Sequence, residues 1–409
     1  MNTDDFIKTQ KTVFVGMNSQ GKTFALETLK KKYKDEVIFI ANETKANETL
    51  KNSTDSSPLV SWLERLLDLK ALKDLIDTQI DSISFDDINV LNNINVGLKN
   101  STQNYKGLIS AEIKTNSNQW GEPGSGETFY GQLMIIEKII NSGVDNPIKY
   151  LLIDEPESFL HPSLYINMCY LLKRLSRKVK VIIATHSPII LGYFIDDLEE
   201  IIIVNNGQYR RLETTTFYSS LIKNNTKIYS IDNGYKTTKE ALAHFNEYFD
   251  IFIKPIILNS VFSKIVVIGE GLSEKILFDC IQNEYGNDLY LSSVSFVTLY
   301  GKDFIPFVIA ILKDMGIKTV VVFDEDLKST DEINVAINEY IKHNSDKIIN
   351  FKEDIETELD IEKNKSKTFK SVYVPSVIKN LYVDRNVKLL NLIQRIKKQI
   401  DELIKIKED

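Results

Sequence analysis

Lys11-Thr-Val-Phe-Val-Gly16-Met-Asn-Ser-Gln-Gly21-Lys22-Thr23 is the stretch that decides the fold of the N-terminal half of this 409-residue chain. Val13-Phe14-Val15 is an apolar run of strand length, and Lys22–Lys32 has a helical composition. Gly16-x-x-x-x-Gly21-Lys22-Thr23 therefore sits between a strand and a helix, the setting in which a phosphate-loop pattern has physical meaning. Backbone N–H groups along Gly16, Asn18 and Gly21, with the helix N-terminus, would cradle phosphate oxygens. Lys22 would reach the β and γ oxygens, and the Thr23 hydroxyl would ligate Mg²⁺. The expected cofactor is ATP with Mg²⁺.

Downstream, Tyr150-Leu-Leu-Ile-Asp154-Glu155-Pro156-Glu157 ends a second apolar strand in an acidic pair. Asp154 is placed on the Mg²⁺ shell, and Glu155 where it can polarise an attacking water. An acidic pair after a strand is also a common helix N-cap. Three further features set this one apart. Ser125-Gly126-Glu127 precedes a helix, Ser158-Phe-Leu-His161-Pro162 follows the acids, and Ala184-Thr-His186-Ser187-Pro188 follows the next apolar run, Val179–Ala184. Val37–Ala41 and Gly107–Lys114 read as strands, and 45–105 as a helical insertion poor in Gly and Pro. Glu200–Val204 and Tyr209–Leu212 straddle an Asn-Asn-Gly turn and close the domain as a hairpin. The first domain is expected over 1–222.

Residues 223–262 read as a helical linker or dimerisation segment, and 263–409 as a second α/β domain. Strands at 265–269, 294–299 and 319–323 alternate with helices, which implies a small parallel sheet. The first of them ends in Glu270-Gly271-Leu-Ser-Glu274, and the third in Asp324-Glu-Asp326. Carboxylates Glu270, Glu274, Asp324 and Asp326 would gather at the strand C-terminal edge, where open α/β sheets bind ligands. Hard oxygen ligands suit Mg²⁺ or Mn²⁺ rather than zinc. Two such ions about 3.5–4 Å apart could activate water and stabilise the leaving oxygen of a phosphodiester. In the C-terminal segment, Leu389, Ile393, Ile396, Ile400 and Leu403 form a seam too short for a coiled coil, so it should pack back on its own domain.

Composition is that of a globular protein, 43% hydrophobic and 26% charged. No run of about 18 uncharged apolar residues occurs, so no membrane span is expected. Met-Asn-Thr-Asp-Asp lacks the basic and apolar regions of a secretion leader, so a cytoplasmic location is expected. Cys169 and Cys280 fit buried free thiols. Net charge is −7, yet residues 361–409 hold twelve Lys/Arg against six Asp/Glu. On charge alone, a focused polyanion site and a solvated helix surface are equal readings of that segment.

The set in the first half, in this order, resembles the ABC-type ATPases of repair proteins and of the overcoming-lysogenisation-defect family. That resemblance implies two ATPase units sandwiching ATP, with Ser125 and Gly126 of one unit facing the γ-phosphate held by Lys22 of the other. His186 would contact the γ-phosphate. The signature here, Pro123-Gly124-Ser125-Gly126-Glu127, lacks the usual aliphatic lead-in. Glu-Gly followed by Asp-x-Asp on alternating strands is similar to the Toprim fold in the version fused to ABC ATPases in that family. Ser273-Glu274 and Gly301-Lys302 add to the match. The family's later acid maps onto Asp354 or Glu356, and its basic residue near the scissile phosphate onto Lys367, Lys370 or Lys379.

The expected protein is thus an ATP-regulated, divalent-metal-dependent DNA endonuclease, an anti-phage defence effector. The resemblance implies a homodimer or larger homo-oligomer through the ATPase domain. It also leaves room for a partner such as a helicase, a nuclease or a reverse transcriptase. The alternative is an ATP-gated nucleic-acid-binding scaffold or sensor whose Toprim domain does not cut.

Overall fold

A computed structural model describes residues 3–16, 21–40, 94–98, 111–115, parts of 129–141, 148–205 except 159 and 161, 207–212, 254–286, 293–299, 301–325, 332–362 and 367–405. The chain divides into two compact units, Met1–Leu212 and Glu213–Asp409.

The first unit is built on a sheet of six strands: β1 (Lys11–Val15), β2 (Val37–Ile40), β5 (Tyr150–Asp154), β6 (Lys180–Ala184), β7 (Ile201–Asn205) and β8 (Gln208–Arg211). Between β2 and β5, β3 (Ile94–Leu98) and β4 (Ala111–Thr115) pair antiparallel as a separate two-stranded sheet. The large sheet has the order β2-β5-β6-β1-β7-β8, parallel except for β8, which returns from β7 as a hairpin. Val13, Phe14 and Val15, like Leu151, Leu152 and Ile153, are fully buried, as expected of parallel strands covered on both faces. Helix Lys22–Tyr33 lays Ala25, Leu26 and Leu29 on Phe14, Leu152 and Ile182. Each such aliphatic side chain contributes roughly 1.5–3 kcal/mol on full burial.

One expectation changes here. The segment 45–105, expected to be helical, contains strand β3, whose Ile94-Asn-Val-Gly-Leu98 has only five residues on which to show a period. The compact first unit spans Met1–Leu212, with β8 at the edge of its sheet, and residues 213–222 of the expected first domain lie outside the described residues. Residues 213–253, most of the expected linker, lie outside the described residues; helix Lys254–Ser260 falls within the second unit.

The second unit has a wholly parallel sheet of β9 (Ile265–Gly269), β10 (Val294–Thr298), β11 (Lys318–Asp324) and β12 (Lys347–Phe351), in the order β10-β9-β11-β12. The fourth strand was not anticipated; Lys347-Ile-Ile-Asn-Phe351 offers only two adjacent aliphatics between polar residues. One face, carrying Ile265, Val267, Val320, Val322, Ile349 and Phe351, packs against helices Leu272–Tyr285, Lys367–Val383 and Val387–Lys405. Leu389, Ile393, Ile396, Ile400 and Leu403 are all buried there, so the C-terminal seam does cover its own sheet. Four cations of the basic segment are ion-paired: Arg385 with Glu284, Lys388 with Asp360, Arg395 with Glu358 and Lys397 with Asp401.

Among the described residues, no helix is long and apolar enough to cross a membrane.

Candidate functional site

In the first unit, β1, β6 and β5 are parallel neighbours, so their C-terminal ends open on one edge. Gly16 leaves β1 at φ +154°, and a Cβ there would sit 2.2 Å from the carbonyl oxygen of Val204. Only glycine lets the loop pass this close to β7. The loop re-enters helix at Gly21, whose carbonyl oxygen accepts a 2.9 Å bond from the Tyr209 hydroxyl. Buried Lys22 begins the helix and donates from Nζ to the Gly16 carbonyl oxygen at 2.8 Å. Thr23 Oγ1 donates to Asp154 Oδ2 at 2.9 Å, which brings two hard oxygen donors from positions 131 residues apart into contact. That pair fits the coordination preference of Mg²⁺.

Glu155 follows Asp154 with φ +50°, a left-handed conformation rare for a non-glycine residue. Its N–H donates to the Ala184 carbonyl oxygen at 2.8 Å, which draws the acidic turn against the end of β6. There His186 Nε2 lies 3.6 Å from Glu155 Oε1, so the two expected catalytic side chains do meet. Glu157, which the sequence reading passed over, joins the same turns. Its carboxylate accepts from Thr185 Oγ1 at 2.9 Å and from the His186 N–H at 2.6 Å. Burial pushes its pKa up, and the His186 N–H and Thr185 hydroxyl oppose that rise. Asn18, Ser125, Gly126 and His161 lie outside the described residues.

In the second unit, β9 has β10 on one side and β11 on the other, so the chain reverses direction across the sheet between β9 and β11. Ligands of open α/β sheets bind outside the strand C-termini at such a point. Glu270 follows β9 and Asp324 ends β11, and Glu270 Oε1 accepts the Asp324 N–H at 2.7 Å. Lys302, from the loop after β10, donates from Nζ to the Asp324 carbonyl oxygen and lies 5.4 Å from the centre of the Phe323 ring. A carboxylate and a cation thus hold the two backbone groups of Asp324. In the sequence, Lys302 is marked by its place after Gly301, just past the strand at 294–299.

The other expected ligands have individual fates. Glu274 turns its Oε2 back to the Gly271 N–H at 2.9 Å, capping its own helix. Gly269 makes room for this, since a Cβ there would come within 2.5 Å of Glu274 Cβ. Asp354 caps helix Ile355–Glu358 by accepting from the Thr357 N–H and hydroxyl, at 2.9 and 2.6 Å. Glu356 is buried in that helix, just past β12. Asp326 lies outside the described residues. Among the described residues, which do not include Asp326 of the expected four-carboxylate cluster, no three His, Cys, Asp or Glu side chains gather as a metal site.

Between the two aspartates, Glu325 points inward, a role the x of Asp-x-Asp gave no hint of. Its carboxylate pairs with Lys342 and accepts from Asn350 Nδ2 at 2.6 Å, while its carbonyl oxygen accepts from Asn338 Nδ2 at 2.7 Å. The expected basic residues lie on helix Lys367–Val383, where Lys379 is exposed; the side chains of Lys367 and Lys370 are outside the described set. Glu284, late in helix Leu272–Tyr285, binds the Tyr382 hydroxyl at 3.1 Å and Arg385 at 2.7 Å. The helices pack side by side with their C-terminal ends together, so they run parallel. At about 1.5 Å per residue, the backbone at Lys367 is then roughly level with the Glu270 end of its neighbour.

Residues 261–326 match the family model described as "Overcoming lysogenization defect protein-like, TOPRIM domain". Residues 141–192 match the model "AAA domain, putative AbiEii toxin, Type IV TA system". The chain is 25% identical over 214 residues to Endonuclease GajA of Bacillus cereus (strain VD045), covering 52% of this chain and 32% of that protein. It therefore spans about a third of the length of that relative. Among solved structures, Stu0660 of Streptococcus thermophilus aligns at 12% identity with a TM-score of 0.32, over 62% of this chain and 82% of that one. The chain thus carries an AAA-type ATPase segment and an overcoming-lysogenisation-defect-like Toprim segment, and is a low-identity homologue of an endonuclease.

Proposed function

We propose that this protein is an ATP-regulated, divalent-metal-dependent DNA endonuclease that serves in antiviral defence. The observation that carries the nuclease half is the meeting of Glu270 with Asp324 at the switch point of a parallel sheet, with the Lys302 ammonium beside them. Glu270 and Asp324, joined by Asp326, would hold Mg²⁺ or Mn²⁺. Bound there, the metal would supply a water of lowered pKa and a counter-charge for the leaving oxygen. The chain's own contribution is orientation: Glu270 fixes Asp324 through its N–H, and Lys302 fixes it through its carbonyl.

In the first unit, Lys22 would bind the β and γ phosphates. Thr23 and Asp154 would hold Mg²⁺, Glu155 would take a proton from the attacking water, and His186 would contact the γ-phosphate. The signature Ser125-Gly126 would complete the site in trans, which makes a homodimer or larger homo-oligomer the working form. A partner helicase, nuclease or reverse transcriptase and a cytoplasmic location complete the proposal.

The test is cleavage of supercoiled plasmid with Mg²⁺ or Mn²⁺, with and without ATP, by wild type and Glu270→Ala. Metal-dependent nicking lost in the variant supports the nuclease, and the effect of ATP gives the sign of regulation. A Toprim unit that binds DNA without cutting, gated by ATP, would show retention of plasmid but no nicking under any condition.

A further inference from the structure

Glu157 belongs to none of the roles assigned above, yet its carboxylate bonds to two successive residues of the turn after β6. Two atoms of the next turn converge on it: both of its oxygens lie 2.9 Å from Thr185 Oγ1, and Oε1 takes the His186 N–H at 2.6 Å. Thr185 is fully buried, and its own N–H donates to the Phe14 carbonyl oxygen at 3.2 Å. The carboxylate is therefore tied through one residue to β1, the strand that launches the phosphate loop. On the other side, the Glu157 carbonyl oxygen accepts from the Tyr165 hydroxyl at 3.1 Å, and Ser158 N–H donates to the Glu155 carbonyl oxygen at 3.0 Å.

Those bonds enclose the left-handed Glu155. A non-glycine residue in that conformation costs on the order of 1 kcal/mol and persists where its surroundings hold it. Here the holding groups are the Glu155 N–H bond to Ala184 before the turn and Glu157 after it. Both reach the segment that ends in His186. A charged acceptor on a backbone N–H makes a stronger bond than a neutral one, which suits a brace between two loops.

We propose that Glu157 is a positioning residue, which seats the Thr185–His186 turn against the Asp154–Glu155 turn and so sets the meeting of Glu155 with His186. Its geometry stands by itself, and its consequence for turnover rests on the ATPase reading above. Loss of the carboxylate frees the His186 N–H and the Thr185 hydroxyl together. Glutamine keeps one oxygen for the His186 N–H and an amide group beside the hydroxyl, so it should restore much of what alanine loses.

The experiment compares wild type, Glu157→Ala and Glu157→Gln by amide hydrogen exchange in the nucleotide-free protein and by steady-state ATP hydrolysis. The expected result in Glu157→Ala is exchange at the His186 amide faster by about tenfold or more. With it, kcat should fall ~10–100-fold at unchanged KM, the loss of one charge-assisted bond made at the reacting geometry. Glu157→Gln should recover most of both. A wild type that binds no ATP would sink the ATPase reading and leave exchange at His186 to decide this one. Unchanged exchange at His186 in Glu157→Ala overturns the proposal. So does a kcat equal to that of an active wild type, or a uniform loss across the unit that glutamine does not reverse.

Discussion

Glu270 Oε1 and the Asp324 N–H are 2.7 Å apart although 54 residues separate them in the chain. Two strands, β9 and β11, lie side by side in parallel register, and each delivers an acidic residue as its ladder ends. The contact fixes which way the Glu270 carboxylate faces. A carboxylate that receives a backbone N–H is oriented at little further entropic cost, which is the preorganisation a metal-dependent site needs.

Glu270→Ala and Asp324→Ala should each lower metal-dependent cleavage by at least about 100-fold, the usual scale for a lost electrostatic partner in a reacting site. Nucleotide binding, assigned to the other unit, should be unaltered in both. Plasmid nicking assays beside fluorescent-ATP titration check the pair of statements; nicking at wild-type rate by either variant removes the proposed site.

Lys302→Ala should reduce cleavage about 10-fold or more while leaving the melting temperature within a few degrees of wild type. The residue is held at the Asp324 carbonyl rather than in the apolar core. Cleavage assays with Lys302→Arg as the charge-retaining control would read this, with arginine recovering part of the rate. Equal rates for alanine and wild type would deny Lys302 any part in the site.

Lys22→Ala should abolish ATP binding, because it removes the ammonium, held beside Gly16, that is proposed to reach the β and γ phosphates. Thr23→Val, which removes the hydroxyl bonded to Asp154, should instead weaken the Mg²⁺ dependence of that binding. Isothermal titration with and without EDTA separates the two; a Thr23→Val protein with wild-type Mg²⁺ dependence argues against the Thr23–Asp154 pair as ligands.

Gly16→Ala is expected to destabilise the first unit by about 2 kcal/mol or more, since the added Cβ would meet the Val204 carbonyl oxygen at 2.2 Å. The backbone must shift on a strand that is fully buried. Thermal unfolding would show the first unit melting several degrees lower, and an unchanged transition would refute the close approach.

Cys169 and Cys280 are buried, and burial pushes their thiols up to about 12 and about 11. Both should resist a thiol reagent at pH 8 in the native protein and react on denaturation. The unfolded thiols titrate near 9, so their contribution to stability is complete below that pH. It is lost as pH rises through the folded values, because the unfolded state gives up its protons first. Fast labelling of either cysteine in the native protein would contradict the burial.

Much of the first unit was legible because its chemistry is local. Gly16, Gly21, Lys22 and Thr23 lie within eight residues on a strand–loop–helix, and Asp154 and Glu155 end an apolar run. The strands of the second unit were legible for the same reason, except β12, where Lys347 and Asn350 break up a five-residue run. The C-terminal seam announced its burial through spacings of three and four.

What the chain determined by itself is the alternation of apolar strands with helices and the residue types placed where strands end, since period and composition are properties of short windows. Tertiary structure alone decided which of those ends meet. Glu157 reaches Thr185 and His186, Lys302 reaches Asp324, and Glu325 turns inward to Lys342, each across a separation no local pattern encodes. It also gave Glu274 and Asp354 capping bonds to helix N-terminal N–H groups that would otherwise lack an intrahelical partner. A carboxylate takes the donor that folding brings to it, and the order of strands in the sheet chooses that donor.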